Sequence, residues 1–143
     1  MKINQLSIFL ENKPGRLNDA CRALAENGVN ITTLSLADTQ QFGLVRLIVR
    51  DWEAAKSVLE KAGFLVNVSQ VTAVKVPDRA GGLVEMLDIF SRAGVNIEYM
   101  YAFTARSAAD AVMVFRFDDA DKAAAAIAAA GRSMISPAEL FGE

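Results

Sequence analysis

The feature that most restricts this chain is a stretch that occurs twice. Glu11-Asn12-Lys13-Pro14-Gly15-Arg16-Leu17 is followed by Gly28-Val29-Asn30-Ile31. The second copy reads Pro77-Asp78-Arg79-Ala80-Gly81-Gly82-Leu83 and then Gly94-Val95-Asn96-Ile97. Gly15 and Gly81, Leu17 and Leu83, Gly28 and Gly94, and Ile31 and Ile97 are each separated by 66 positions. A spacing shared by so many positions is an internal repeat. The 143 residues therefore divide into two units, 1–69 and 70–143. Units so small bury modest cores, which predicts that they pack on each other.

Hydropathy patterning gives each unit its elements. Leu6, Ile8 and Leu10 alternate along Gln5 to Leu10, the period of a strand. Pro14 lacks an N–H and suits a first helical turn. Leu17, Ala20, Cys21, Leu24 and Ala25 then fall on one helical stripe that ends at Gly28. Asn30 to Ala37 reads as a strand, Asp38 to Gly43 as a polar turn, and Leu44 to Arg50 as a third strand. Asp51 is placed to cap a helix whose buried side is Trp52, Ala55, Val58, Leu59 and Ala62. Gly63 closes it, and Phe64 to Ser69 is a short fourth strand.

The second copy repeats the series with almost no linker. Its strands are Val71 to Val76, Ile97 to Thr104, Ala111 to Phe117 and Ser133 to Ile135. Its helices carry Leu83, Met86, Leu87 and Phe90, and then an alanine-rich run capped by Asp119. Gly63 and Gly131 are 68 positions apart, so the hairpin after the second strand is expected to be two residues longer here. Ser136-Pro137 marks a last helix start. The order βαββαβ, with right-handed crossovers, predicts an α+β chain of two tandem ferredoxin-like units: antiparallel strands with two helices on one face.

The other sheet face carries more apolar groups than water-facing strands should. Leu44, Ile48, Val112 and Val114 lie there, and Tyr99 and Tyr101 add to it. Such a face calls for a cover, either the other repeat or a second chain.

Composition excludes several classes of function. The net charge of −2 with no basic cluster argues against nucleic acid. There is no histidine and one cysteine, Cys21, so an intrachain disulfide and a Cys/His zinc site are ruled out. The carboxylates Asp118, Asp119 and Asp121 lack the spacing of a calcium loop and read as caps. No metal or other cofactor is expected. No segment is apolar for long enough to span a membrane, and the start lacks a signal peptide's apolar run. These point to a cytoplasmic protein. No nucleophile motif or phosphate loop is present, so catalysis is not expected.

The loop and turn motifs, at this distance and within βαββαβ, resemble the ACT domain, a family of small regulatory modules that bind amino acids. The first copy is similar to the ACT domain of serine-inhibited phosphoglycerate dehydrogenases. There an Asn of the first loop and the Asn of the Gly-Val-Asn-Ile turn hold the effector; the matching residues are Asn12 and Asn30. The second copy departs, with Asp78 for Asn12 and Ala80 for Pro14, while Asn96 matches. The resemblance covers essentially the whole chain and implies a tandem ACT protein without a catalytic domain. It also implies that two ACT units pair into an eight-stranded sheet with the ligand at their boundary. One site would then combine Asn12, Pro14, Gly15, Arg16 and Leu17 with Asn96 and Ile97. Its mirror would combine Asp78, Gly81, Gly82 and Leu83 with Asn30 and Ile31. Pairing within one chain and between chains both stay open, a homodimer being expected.

The chemistry of these residues suits a zwitterion. Backbone N–H groups at a helix start receive a carboxylate, and Asn amides serve an ammonium or a polar side chain. The Asp78 carboxylate favours a cationic group more than Asn12 does. Simpler readings stand beside this one: Asn12 and Asp78 as helix caps, Asn30 and Asn96 as turn residues, Cys21 as core, Tyr99 and Tyr101 as interface packing, and Lys13 and Arg16 as solvated charges. The expected function is a regulatory, amino-acid-binding protein with an enzyme or regulator as partner. The alternative is an interaction module that works through its apolar sheet face. Which amino acid binds is not written in the residues.

Overall fold

The computed structural model describes residues 1–39, 42–107 and 110–142. The elements run β1 (Ile3–Glu11), α1 (Arg16–Glu26), β2 (Thr33–Thr39), β3 (Phe42–Ile48), α2 (Trp52–Lys61), β4 (Leu65–Pro77), α3 (Gly82–Ala93), β5 (Ile97–Ser107), β6 (Asp110–Phe117), α4 (Ala120–Ala129), β7 (Met134–Ile135) and α5 (Pro137–Phe141). Two compact units divide the chain. One is Asn4–Ser69; the other is Gln70–Glu143 together with Met1–Ile3.

In the first unit the strands lie in the order β2-β3-β1-β4. β1 and β3 are antiparallel, with Leu6 opposite Leu47 and Ile8 opposite Val45. These four, with Leu10 and Val49, face Ala20 and Leu24 of α1 and Ala55 and Leu59 of α2 in one buried cluster. The second unit repeats the plan. β6 lies between β4 and β5, and β7 pairs with β4. Its cluster joins Val74, Val76, Phe115 and Phe117 of the sheet to Met86 and Phe90 of α3 and Ala123 and Ile127 of α4. Both units are ferredoxin-like antiparallel sheets carrying two helices.

Three differences from the sequence reading have physical causes. The strands expected at Phe64 to Ser69 and Val71 to Val76 are one continuous β4, so the described residues form seven strands. No Gly or Pro falls between Leu65 and Val76 to break it. The first helix begins at Arg16, where the sequence also starts it, but Pro14 stands in the loop before it and outside the first turn. The stripe of α1 is narrower than expected: Ala20 and Leu24 are buried, Cys21 is half-buried and Ala25 is exposed.

The two-residue surplus of the second copy also sits in an unexpected place. Tyr101 pairs with Val114 and Ala102 with Met113, matching Ser35 with Arg46 and Leu36 with Val45 in the first unit. The next pair is Arg106 with Ala111. Three residues of β5 thus stand against Val112 alone, and the surplus is an irregularity inside the strand. Residues 40, 41, 108 and 109 of the two hairpin tips lie outside the described residues. They include the middle of the turn expected at Asp38 to Gly43.

The sheet face turned away from the helices is buried only in part: Phe9 and Phe42 of the first unit stay exposed on it. Ile48, Thr33 and Gln5 of the first unit are at most 1% exposed, as are Val71, Ala73 and Val114 of the second. Tyr99 and Tyr101 are half-buried on the same face, opposite Arg116 and Val114.

Candidate functional site

The loop between β1 and α1 is short because Glu11 is still paired with Phe42 in the sheet while Arg16 is already helical. Lys13 N–H donates to the Glu11 carbonyl at 2.9 Å and Arg16 N–H to the Lys13 carbonyl at 3.4 Å. Gly15 makes the turn. Its φ of 88° lies in the left-handed region, as does the 82° of Gly81 in the second unit. These glycines are themselves the N-cap residues, and neither helix has a side-chain cap. The capping reading of Asn12 and Asp78 is therefore wrong. Genuine caps occur elsewhere. Asp51 accepts from Ala54 N–H at 3.1 Å, Asp119 from Lys122 N–H at 3.0 Å, and Ser136 from Glu139 N–H at 3.1 Å.

An uncapped helix start leaves donors unused. Asp19 N–H takes the Gly15 carbonyl at 2.8 Å, while the N–H groups of Leu17 and Asn18 have no partner among the described residues. Leu83 and Val84 are left in the same state in the second unit, where Glu85 N–H takes the Gly81 carbonyl at 3.0 Å. Asn12 is exposed, and its side chain has no partner among the described residues. Asp78 is also exposed but is engaged within the protein.

Arg16 is less free than a solvated charge. Its guanidinium lies 4.6 Å from the centre of the Phe64 ring and its Nη1 is 3.2 Å from Asp19 Oδ2. Nε of Arg16 is buried without a hydrogen-bond partner. Leu17 closes the underside of the loop by packing on the first core, and Leu83 does so on the second.

The Asn turns stand at the far ends of α1 and α3. Gly28, with φ 70°, and Gly94, with φ 71°, reverse the chain after each helix. Val29 and Ile31 then pack on the first core, as Val95 and Ile97 do on the second. Asn30 and Ile31 precede β2 and are not strand residues. Asn30 is exposed and has no partner among the described residues. Asn96 differs: Asp118 Oδ1 accepts its N–H at 2.9 Å, and its carbonyl accepts Asp118 N–H at 3.1 Å. Asp118 thus fixes the second turn and is not a cap, a role that its place in an acidic run conceals.

Within a unit the structure does not bring loop and turn together. The 11 residues of α1 put about 16 Å between them. Two shallow depressions occur in the first unit. One, about 430 Å³, runs along α1 past Asn18, Cys21 and Arg22. The other, about 420 Å³, runs along α2 past Trp52, Lys56 and Val68. The loop and turn residues named above line neither of them. Among the described residues no helix is long and apolar enough to cross a membrane.

Comparison with known proteins adds to this geometry. A family model described as an ACT domain pair matches residues 1–141. The crystal structure of protein BT0572 from Bacteroides thetaiotaomicron is 34% identical and superposes with a TM-score of 0.91, covering 100% of this chain and 98% of that one. The regulatory subunit of aspartate kinase from Thermus thermophilus, in a ligand-free form, is 19% identical with a TM-score of 0.66. Its counterpart from Thermus flavus is 20% identical with a TM-score of 0.63. For both, 90% of each chain is covered, and the likeness is one of fold. No curated protein matches the sequence.

Proposed function

The chain belongs to the family of ACT domain pairs, and from that premise we propose that it is a non-catalytic regulatory protein that senses an amino acid or a close relative. One observation carries the reading. Asn12, which caps nothing, stands beside a helix start whose Leu17 and Asn18 N–H groups are unused. Free donors at a helix N-terminus favour a carboxylate, and the Asn12 amide offers both a donor and an acceptor to the rest of a zwitterion. The left-handed Gly15 has no side chain to obstruct a ligand close to the backbone.

A loop and a turn of one unit are too far apart for one amino acid to touch both. In this proposal a ligand held by both takes them from two different ACT units, of one chain or of two. The sets are Asn12, Pro14, Gly15, Arg16 and Leu17 with Asn96 and Ile97, and Asp78, Gly81, Gly82 and Leu83 with Asn30 and Ile31. Binding acts by favouring one arrangement of ACT units over another. A homodimer and an enzyme or regulator that reads its state belong to the same proposal. The aspartate kinase subunits, which are regulatory by description, support it.

The test is a thermal-shift screen of the common L-amino acids. A ligand at ~100 times its Kd adds roughly 2.7 kcal/mol. For a chain of this size the Tm then rises by about 5–10 °C. No shift with any amino acid or close analogue favours an interaction module instead. Ile48, Val112 and Val114 are buried on the face it would use, which leaves that alternative Phe9 and Phe42.

A further inference from the structure

The two loops follow one plan but are held differently. In the second unit Glu85, in the first turn of α3, receives Arg79 from the loop. It also receives Arg132, from the turn after α4, at 2.8 Å. The two guanidiniums hold its carboxyl below the usual carboxylate range, Arg79 making the larger contribution. The loop is thus tied to its own helix and, through the same carboxylate, to the end of the next one. Gly82 tightens the arrangement: a Cβ there would fall 1.9 Å from the Pro77 carbonyl oxygen.

The counterparts in the first unit are Lys13 for Arg79, Asp19 for Glu85, Phe64 for Arg132 and Arg16 for Gly82. Lys13 pairs with Glu11 at 3.1 Å, a contact that ties the loop to no helix. Asp19 takes Arg16 from its own helix at 3.2 Å. Phe64 brings no charge and lies under that same guanidinium. The arginine that meets the helix carboxylate has therefore changed position between copies. In the first it comes from α1, and in the second from the turn after α4. Only the second arrangement, with Arg79 added, ties the loop down.

We infer that the copies have diverged into a movable loop, residues 12–17, and a fixed one, residues 78–83, latched by Glu85 between Arg79 and Arg132, so that rearrangement on ligand binding is confined to the first. The latch stands on the ion pairs alone; the clause about ligand rests on the effector reading above.

Amide hydrogen exchange on the full chain tests both parts. In the free protein, residues 12–17 exchange faster than 78–83. Glu85→Gln speeds exchange at 78–83, read at the Gly82 N–H that donates to the Arg79 carbonyl, by roughly two- to fivefold and leaves 12–17 unchanged. Arg79→Ala does the same, and Asp19→Asn does not affect 78–83. Unchanged protection of β6 shows that each variant is folded. Wild-type exchange at 78–83 in both folded Glu85→Gln and Arg79→Ala overturns the latch. Each common L-amino acid is then added to the wild type. Greater protection at 12–17 than at 78–83, where a latched loop gains only from direct contact, supports the inference. Equal protection of both loops overturns it and upholds the effector reading. Protection of neither loop by any amino acid overturns the effector reading, and the Glu85→Gln result still decides the latch.

Discussion

At the scale of single residues, the structure separates Asn12 from the role its type most often plays. Because Gly15 is the N-cap and α1 has no side-chain cap, Asn12→Ala should leave stability within about 0.5 kcal/mol of wild type in urea titration. The same change should weaken amino-acid binding by about 1–3 kcal/mol in calorimetry. The glycines can be told apart in the same way. Gly15→Ala meets nothing within 4 Å but must hold a left-handed φ, a cost of about 1–2 kcal/mol. Gly82→Ala drives a methyl into the Pro77 carbonyl and should be the more destabilising, since backbone must move.

Glu85 gives a pH dependence with a definite sign. Its folded carboxyl titrates below its ordinary 4.5, so the unfolded chain takes up the proton first as pH falls. The latch contributes fully above that ordinary value and is lost as pH drops through the lower, folded one. Melting followed downward through the carboxylate range should show a component that Glu85→Gln lacks. Little of this is legible in the sequence. Asn and Asp are the commonest N-caps, so Asn12 and Asp78 hide behind a statistical role. Arg132 is 47 residues from Glu85, and nothing local connects them.

At the scale of elements, the two units reach one fold with different fillings. Trp52, packed on the first core, has Ala120 as its counterpart. The second unit places Phe90, Phe115 and Phe117 where the first has Leu24, Leu47 and Val49. Phe115 and Phe117 are stacked with ring centres 5.3 Å apart, and Phe90 meets both edge-on. Bulk lost from a helix is restored from the sheet and the opposite helix, around Ala123 and Ile127 of the alanine-rich α4. Phe90→Ala should cost about 3–5 kcal/mol by urea titration, whereas Asp119→Ala, which only uncaps α4, should cost about 1 kcal/mol. Helices and strands were legible because periods of 3.6 and 2 survive such exchanges. The continuity of β4 was not, since the polar Asn67, Ser69 and Gln70 in its middle read as a boundary between two strands.

At the scale of the whole molecule, the sequence shows its plan through repetition: a 66-residue spacing predicts two like units, and the ACT domain pair match spans both. What repetition cannot show is divergence in use, because the loops keep their glycines while their ionic ties change. The surplus in β5 says how such a chain can be lengthened. Between Ala102 and Arg106 the strand takes in two residues more than its neighbour. Side chains alternate with a period of two, so an even insertion restores the phase, whereas an odd one inverts every position beyond it. β5 shows both cases: one extra residue between Ile97 and Tyr99 is taken up as a bulge that changes the phase, and the two between Ala102 and Arg106 leave the alternation intact.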